Sequence, residues 1–304
     1  MKYIFTNLKR FDVPAELGGV NRISVPDKWA QTIIQGVSGG LGKYSKEAVF
    51  TFFFPEMHIL QAVAACKKTP VNIGCQGIFW DDVMPGGNFG AFTASRPAAA
   101  MAAAGCTAVI VGHCEERRSL AAVLAEGLIS GSSSSAAINS ILAKEIAAAA
   151  AHRLKILYCV GETAEEQEHW QDVLAWQLDV VVSQPYNCAP YNIPCGDLVI
   201  GYEPVWAVGP GKTPPDRAYI EKIAKFIKDK CGLPVVYGGG LKKENAKMLA
   251  SIPEIDGGLI ALTRFSGEIG FYPDEYLDIA SDYLESVKWM SKRVFQTSWT
   301  SPKL

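Results

Sequence analysis

The chain has 304 residues, of which 49% are hydrophobic, and its 29 basic and 31 acidic residues leave a net charge of −2. This near balance argues against a broad basic surface for nucleic acid, so we expect any anionic ligand to be bound locally. No run of about 18 apolar residues occurs, and Met1 leads directly into a strand pattern. We therefore expect neither a membrane span nor a signal peptide, and we expect a cytoplasmic protein.

Eight short runs rich in β-branched and aromatic residues alternate with segments of helical composition. The predicted strands are 3–7, 48–55, 71–75, 108–112, 155–160, 198–202, 234–237 and 258–262. The predicted helices include 57–68, 98–104, 143–153, 162–182, 217–230 and 243–250. Such alternation is typical of a parallel sheet covered by helices, and eight strands favour a closed (β/α)8 barrel over an open doubly wound sheet.

Two segments stand apart from this alternation. Residues 131–135, a glycine followed by four serines, have the composition of a flexible surface loop. Residues 288–304 carry Trp289, Phe295 and Trp299 among lysines and arginines. We predict one barrel domain over 1–287 and a C-terminal extension over 288–304, which either packs on a partner subunit or folds over its own barrel.

The eight cysteines show no CxxC spacing, and most lie in apolar patterns, so we expect buried free thiols. Cys188 and Cys195 flank a proline-containing loop and could pair in an oxidising compartment, which the expected cytoplasmic location disfavours. The four histidines have no metal-ligand spacing between them or with the cysteines. We predict no metal.

Residues 200–213 are the most informative segment of the chain. An apolar run ends at Glu203, and a carboxylate at the end of a buried strand loses water and suits a general base working near neutral pH. A glutamate that only forms a salt bridge at a strand-to-loop junction is the alternative.

The loop that follows has the features of a lid. Pro204 and Trp206 stiffen its first hinge, and Lys212 with Thr213 form the second. Gly209 and Gly211 leave backbone amides free to meet an anion.

This segment resembles the lid of the triosephosphate isomerase family, and four further segments resemble that family in the same order. They are the first strand with Asn7 and Lys9, residues 109–115 with Gly112, His113 and Glu115, residues 157–163 with Cys159, and residues 235–240 with Gly239 and Gly240. The resemblance implies a cofactor-free isomerase of a small phosphorylated sugar, built on this barrel and assembled as a homodimer.

The resemblance also implies roles for four residues at strand ends. Glu203 would be the base, His113 would polarise the carbonyl, Lys9 would supply positive charge and Asn7 would add a hydrogen bond. Taken singly, His113 could be a core histidine, Lys9 a surface lysine and Asn7 a turn residue.

Further residues would surround these four. Glu115 would support Lys9, and Cys159 would be a buried neighbour. Backbone amides at Gly209, Gly211, Gly239, Gly240, Ala261 and Leu262 would bind the phosphate.

Several departures from the family pattern bear on the substrate. Ala261 and Leu262 stand where the family has a glycine pair, which removes the close approach that glycine permits. Arg264 could offer charge to a displaced anion or could be a surface arginine, and Glu116 is either inserted or replaces an arginine. Residues 88–93 resemble the family's dimer loop, residues 94–96 diverge from it, and the preceding segment 78–87 is longer than usual.

Three functions remain open at this point. The first is interconversion of dihydroxyacetone phosphate and glyceraldehyde 3-phosphate, and the second is the same chemistry on a four-carbon sugar phosphate such as erythrulose phosphate. The third is a non-catalytic barrel that binds a phosphorylated metabolite or a protein. A binder needs no positioned carboxylate base, which favours the two enzymes.

Overall fold

Eight parallel strands close into a barrel in this computed structural model, which confirms the predicted (β/α)8 fold. The strands are β1 (Lys2–Asn7), β2 (Ala48–Phe54), β3 (Val71–Cys75), β4 (Ala108–Val111), β5 (Lys155–Val160), β6 (Leu198–Tyr202), β7 (Val235–Tyr237) and β8 (Gly257–Ile260). Neighbours in the barrel are neighbours in the sequence, and β1 closes the ring against β8, with Tyr3 opposite Gly257.

The structure describes residues 1–182, 197–207, 209 and 211–297, the last seven for their backbone alone. Its helices are α1 (Trp29–Leu41), α2 (Ile59–Cys66), α3 (Ala98–Ala103), α4 (Cys114–Glu126), α5 (Gly131–Ala151), α6 (Trp170–Val182), α7 (Arg217–Cys231), α8 (Ala246–Ala250) and α9 (Pro273–Thr297). No helix in the described ranges is long and apolar enough to cross a membrane.

Strand residues alternate between two apolar layers. In β2, Phe50, Phe52 and Phe54 pack in the layer shared with the helices, whereas Phe53 belongs to the cluster inside the barrel. Because both faces of a parallel barrel strand are buried, the strand reads as a continuous apolar run. This burial is why the strands could be predicted within one or two residues.

The prediction of a loop at 131–135 is wrong. These residues form the first turn of the 21-residue helix α5. Its buried residues Ile138, Leu142, Ile146 and Ala149 recur every three or four positions, so packing of the later turns fixes the helix axis. Serine is tolerated in a first helical turn, where the backbone N–H groups lack partners within the helix.

Other differences concern helix boundaries. The helix predicted from residue 162 begins at Trp170, after a loop and a short 3-10 turn at Gln167–His169. Thr163 N–H donates to the Glu166 carboxylate, which holds that loop in a turn instead of a helix. Helices α1, α4 and α9 were not among the predicted ones, because glycines in α1 and charged runs in α4 and α9 obscure their apolar faces.

The C-terminal helix α9 passes through the boundary predicted between 287 and 288 without a break. Lys288 Nζ lies 3.0 Å from a Glu47 carboxylate oxygen, so the helix contacts its own barrel there. Trp289 is 52% exposed, and the choice between a partner and the barrel for the rest of the extension stays a prediction. Cys188 and Cys195, the pair considered for a disulfide, lie outside the described residues. The six cysteines that the structure describes are free.

Candidate active site

A cavity of about 220 Å³ opens at the carboxyl ends of the strands. Its lining includes the four residues predicted to be catalytic, Asn7, Lys9, His113 and Glu203. Asn7 ends β1, His113 follows β4 and Glu203 follows β6, so the barrel's closure brings together residues that are far apart in the sequence. The four side chains therefore lie within reach of one small molecule in this cavity.

Glu203 is 2% exposed and both of its carboxylate oxygens meet donors. Oε1 lies 3.2 Å from His113 Nε2, and Oε2 accepts a 2.9 Å hydrogen bond from the Cys114 N–H. Gly161 and Gly238 let the neighbouring strand ends approach, because a Cβ at either position would collide with atoms of Glu203. The carboxylate is thus held in a fixed position at rest.

His113 is held by the start of α4. Its Nδ1 accepts a 3.2 Å hydrogen bond from the Glu115 N–H, which caps the helix. An imidazole that accepts at Nδ1 carries its proton on Nε2, where it faces Glu203. Burial, and then the charge of Glu203, raise the pKa of the adjacent Cys114 thiol to about 12, so this thiol stays neutral.

Lys9 adopts a left-handed backbone conformation, with a φ of 41° that is unusual for a residue with a side chain. Two side chains support it: Asn7 Oδ1 accepts from the Lys9 N–H, and Gln76 Nε2 donates to the Lys9 carbonyl. Lys9 Nζ then donates a 2.6 Å hydrogen bond to Glu115. Burial acts to raise the pKa of Glu115, but the hydrogen bond and charge of Lys9 outweigh it, and the pKa is lowered.

The residues predicted to bind phosphate fall into two groups. Gly209, Gly239, Gly240, Ala261 and Leu262 line the cavity. Gly211 is exposed and is not part of the described lining. Arg264 is bonded to Glu275 at 2.6–2.7 Å and stacks on Tyr272, so its charge is already engaged at the surface.

We call residues 204–213, which the sequence predicts to close over the site, the lid. Its first hinge is tied to Glu162, which is fully buried and accepts hydrogen bonds at one oxygen from Trp206 Nε1, Tyr202 and Tyr219. Burial raises the pKa of Glu162 despite these donors. Pro204 lies beside Gly239, while Lys212 and Thr213 at the second hinge are exposed.

Cys159 is fully buried in β5. Burial, and then the charge of Glu203, raise the pKa of its thiol far above the ordinary value. This residue therefore behaves as a small apolar neighbour of the site.

A partly buried glutamate, Glu116, and a buried one, Glu145, lie next to the His113 loop. Glu116 accepts a 2.6 Å hydrogen bond from the Gly112 N–H, and its carboxyl interacts with Glu145, which is 3% exposed. Burial, and then the charge of Glu116, raise the pKa of Glu145 to about 10, with Arg96 and Arg117 opposing the shift. At neutral pH Glu145 is therefore protonated in the folded protein.

Glu145→Gln will stabilise the fold at alkaline pH. An unfolded glutamate ionises near its ordinary pKa of 4.5 and the folded one near 10, so stability is lost as pH rises between these values. Thermal unfolding should show a melting temperature higher by on the order of 10 °C at pH 8.5, and little difference at pH 5. Glu244→Gln, the same change on an exposed side chain, should leave both values as in the wild type. Equal melting curves for Glu145→Gln and wild type at pH 8.5 would contradict the raised pKa of Glu145 in the folded protein.

Several residues of the site were not predicted from the sequence. Cys114 donates to Glu203 through its backbone N–H, and no side-chain pattern indicates such a contact. Phe11 and Phe265 line the cavity and lie on loops. Lys242 also lines the cavity, and its position just after the glycines of residues 238–240 could have marked it. His113, Cys114 and Glu203 offer three potential metal ligands within 4.8 Å, so the absence of a metal stays a prediction.

A closed parallel barrel with a buried carboxylate and imidazole and a partly exposed ammonium at its carboxyl-terminal mouth has the architecture of a barrel enzyme. The sequence model of the triosephosphate isomerase family matches residues 27–269. The chain belongs to the triosephosphate isomerase family and is an isomerase of that type.

Individual relatives agree with this assignment. Triosephosphate isomerase of Roseiflexus castenholzii is 31% identical over 243 residues, which cover 76% of this chain and 85% of the relative. That of Nitrosomonas europaea is 37% identical over 183 residues, covering 56% and 64%. The crystal structure of triosephosphate isomerase from Bartonella henselae superimposes with a TM-score of 0.64 at 23% identity, over 93% of this chain and 98% of that one, which supports the fold.

Proposed function

We propose that this protein interconverts dihydroxyacetone phosphate and D-glyceraldehyde 3-phosphate, with Glu203 transferring the proton through an enediolate. The observation that carries the proposal is the 3.2 Å contact between the Glu203 carboxylate and His113 Nε2 inside a cavity that also holds Lys9. A base beside a neutral hydrogen-bond donor is what abstraction of a proton next to a carbonyl requires.

The resting hydrogen bonds suggest how the reaction starts. A substrate carbonyl oxygen accepts a hydrogen bond from His113 Nε2–H in place of Glu203 Oε1. The Glu203 carboxylate is then free of that donor. Glu203 then takes the proton from the carbon next to the carbonyl, and negative charge develops on the substrate oxygen. His113 and Lys9 stabilise that charge, with Asn7 beside them.

The second half of the reaction uses the same groups in reverse. Glu203 returns its proton to the carbon that carried the carbonyl, and the hydroxyl proton passes between the two oxygens by way of His113. No atom or electron is gained or lost overall, which suits a reaction without a cofactor. Closure of the lid over the cavity would exclude water from the enediolate.

We place the substrate phosphate among the backbone amides of Gly209, Gly239 and Gly240 and those of Ala261 and Leu262. Leu262 lines the cavity with a side chain where the family has glycine, and Phe265 lines the cavity as well. We infer that these side chains leave less room for a longer substrate, which favours the three-carbon substrate over the four-carbon alternative. Lys242, which also lines the cavity, adds a cation near this end.

We further propose a homodimer in the cytoplasm. In the long loop between β3 and α3, Phe89 is 89% exposed, Met84 58% and Trp80 41%, an apolar surface of the kind that a second subunit covers. The free thiols of the six described cysteines suit a reducing compartment.

The proposal predicts fast turnover of glyceraldehyde 3-phosphate in a coupled assay of the purified protein. Erythrulose phosphate, tested in parallel, should turn over at least about tenfold more slowly in kcat/KM, since a misfit of one carbon in a tight pocket costs about 1–3 kcal/mol. A preference for erythrulose phosphate would instead support the four-carbon isomerase. If neither substrate were turned over but sugar phosphates still bound, the result would support a non-catalytic binder.

A further inference from the structure

A second cavity, of about 630 Å³, lies beside the active site between α4, α5 and the start of α6. Arg117, Arg118, Ser134 and Trp176 are among its lining residues. The cavity is about the size of a small-molecule binding site. The reaction proposed for Glu203 and His113 makes no use of it.

The cavity carries two arginines that form no direct salt bridge with a described residue, although the charge of Arg117 acts on Glu116 and Glu145 and that of Arg118 acts on Glu115. Arg117 donates to four neutral acceptors, namely the carbonyls of Gly112 and Cys159, the Asn139 side chain and the Tyr158 hydroxyl. In the described part of the chain, neither Arg117 nor the exposed Arg118 forms an ion pair. The acidic group in the lining is Glu166, and it already accepts from Thr163 N–H.

The N-terminus of α5 adds hydrogen-bond donors to the same cavity. Ser130, at the N-cap, makes no side-chain capping bond, and the first turn contains no acidic residue. Ser134 lines the cavity and is only 8% exposed, yet its hydroxyl has no hydrogen-bond partner among the described residues. The Ser134 oxygen is not among the enclosed unpaired polar atoms of the described residues, so it faces the cavity and can donate to a molecule bound there.

The cavity also has apolar lining residues. They are Trp176, Val173, Ile138 and Ala121. An occupant therefore needs an anionic group for the arginines and Ser134 and an apolar part for Trp176. We propose that this cavity is a second binding site, separate from the active site, for a small organic phosphate with an apolar or aromatic portion.

The cavity shares two residues with the catalytic machinery. Cys114, whose N–H holds Glu203, and Val205, at the first hinge of the lid, both line it. Val205 N–H donates to the Glu162 carbonyl at 3.1 Å. A bound phosphate therefore lies against the wall that positions the base and anchors the lid.

The test is a fluorescence titration of the full-length protein with phenyl phosphate. Binding in this cavity should give a saturable change that is lost in Trp176→Phe, which separates it from phenyl phosphate bound at the active site. Arg118→Gln and Ser134→Ala should each weaken that binding by about tenfold, the cost of one hydrogen bond to a charged group. Lys144→Gln, an equal charge change on α5 outside the cavity, should bind as the wild type does.

Two results would overturn the site. One is the absence of any Trp176-dependent change up to about 10 mM phenyl phosphate, a range that covers even weak binding. The other is a Trp176-dependent change that does not involve the phosphate group. This would be the case if Arg118→Gln and Ser134→Ala left the change intact, or if phenol produced the same change, because Arg118 and Ser134 would then not bind the phosphate. Melting curves of all four variants should match the wild type, so that loss of binding is not loss of fold.

Discussion

Glu203→Gln should fold normally and lose at least about a thousandfold in kcat, because an amide cannot accept the proton that a general base must carry. Glutamine has nearly the same shape, and its carbonyl oxygen can still accept from the Cys114 N–H. The loss should therefore fall on kcat more than on KM. Steady-state kinetics with glyceraldehyde 3-phosphate measures both.

The matched control is Glu221→Gln, which makes the same chemical change on α7, where Glu221 pairs with Arg217 at the surface. It should keep wild-type kcat and KM. Glu203→Gln turnover within about threefold of wild type, with folding confirmed by circular dichroism, would remove Glu203 from the role of base. Several-hundredfold losses in both variants would point to instability instead.

His113→Asn should lower kcat by about a hundredfold or more, since it removes the Nε2–H that would stabilise the developing oxyanion. Asparagine is chosen because its side-chain oxygen is a good N-cap and can accept the Glu115 N–H that His113 Nδ1 accepts now. Helix α4 should therefore start where it does in the wild type. The comparison separates the chemical role of the imidazole from its role as a cap.

His152→Asn is the corresponding change outside the site, where His152 contacts Asp82. It should leave the kinetics unchanged. If His113→Asn kept wild-type kcat, the oxyanion would have to be stabilised by Lys9 and Asn7 alone. Solvent-deuterium incorporation into the substrate distinguishes slow proton abstraction from slow binding.

The strands and the strand-end positions of the candidate catalytic residues could be predicted because both show in the local sequence, whereas the roles of those residues came from the family resemblance. A strand buried on both faces is a continuous apolar run, and Glu203, His113 and Asn7 stand at the ends of such runs. Parallel barrels gather these ends at one mouth, so alternation and strand ends together locate the cavity.

Features that depend on contacts with other parts of the chain could not be predicted from the local sequence. The left-handed conformation of Lys9 results from its hydrogen bonds to Asn7 and Gln76, and Gln76 lies far away in sequence. The helical state of residues 131–135 is fixed by the packing of later turns of α5. The second cavity escaped for the same reason: its arginines belong to α4 and its tryptophan to α6, and only the packing of these helices brings them together.

The pairing of β1 with β8 places a constraint on how the chain is made. Tyr3 leaves the ribosome early, whereas its partner Gly257 is among the last residues of the barrel to be synthesised. At about 5–20 residues per second, the free edge of β1 waits roughly 10–50 s before it can be covered. An uncovered strand edge is a template for pairing with other chains, so slow translation in the last third of the message should increase aggregation of the nascent protein.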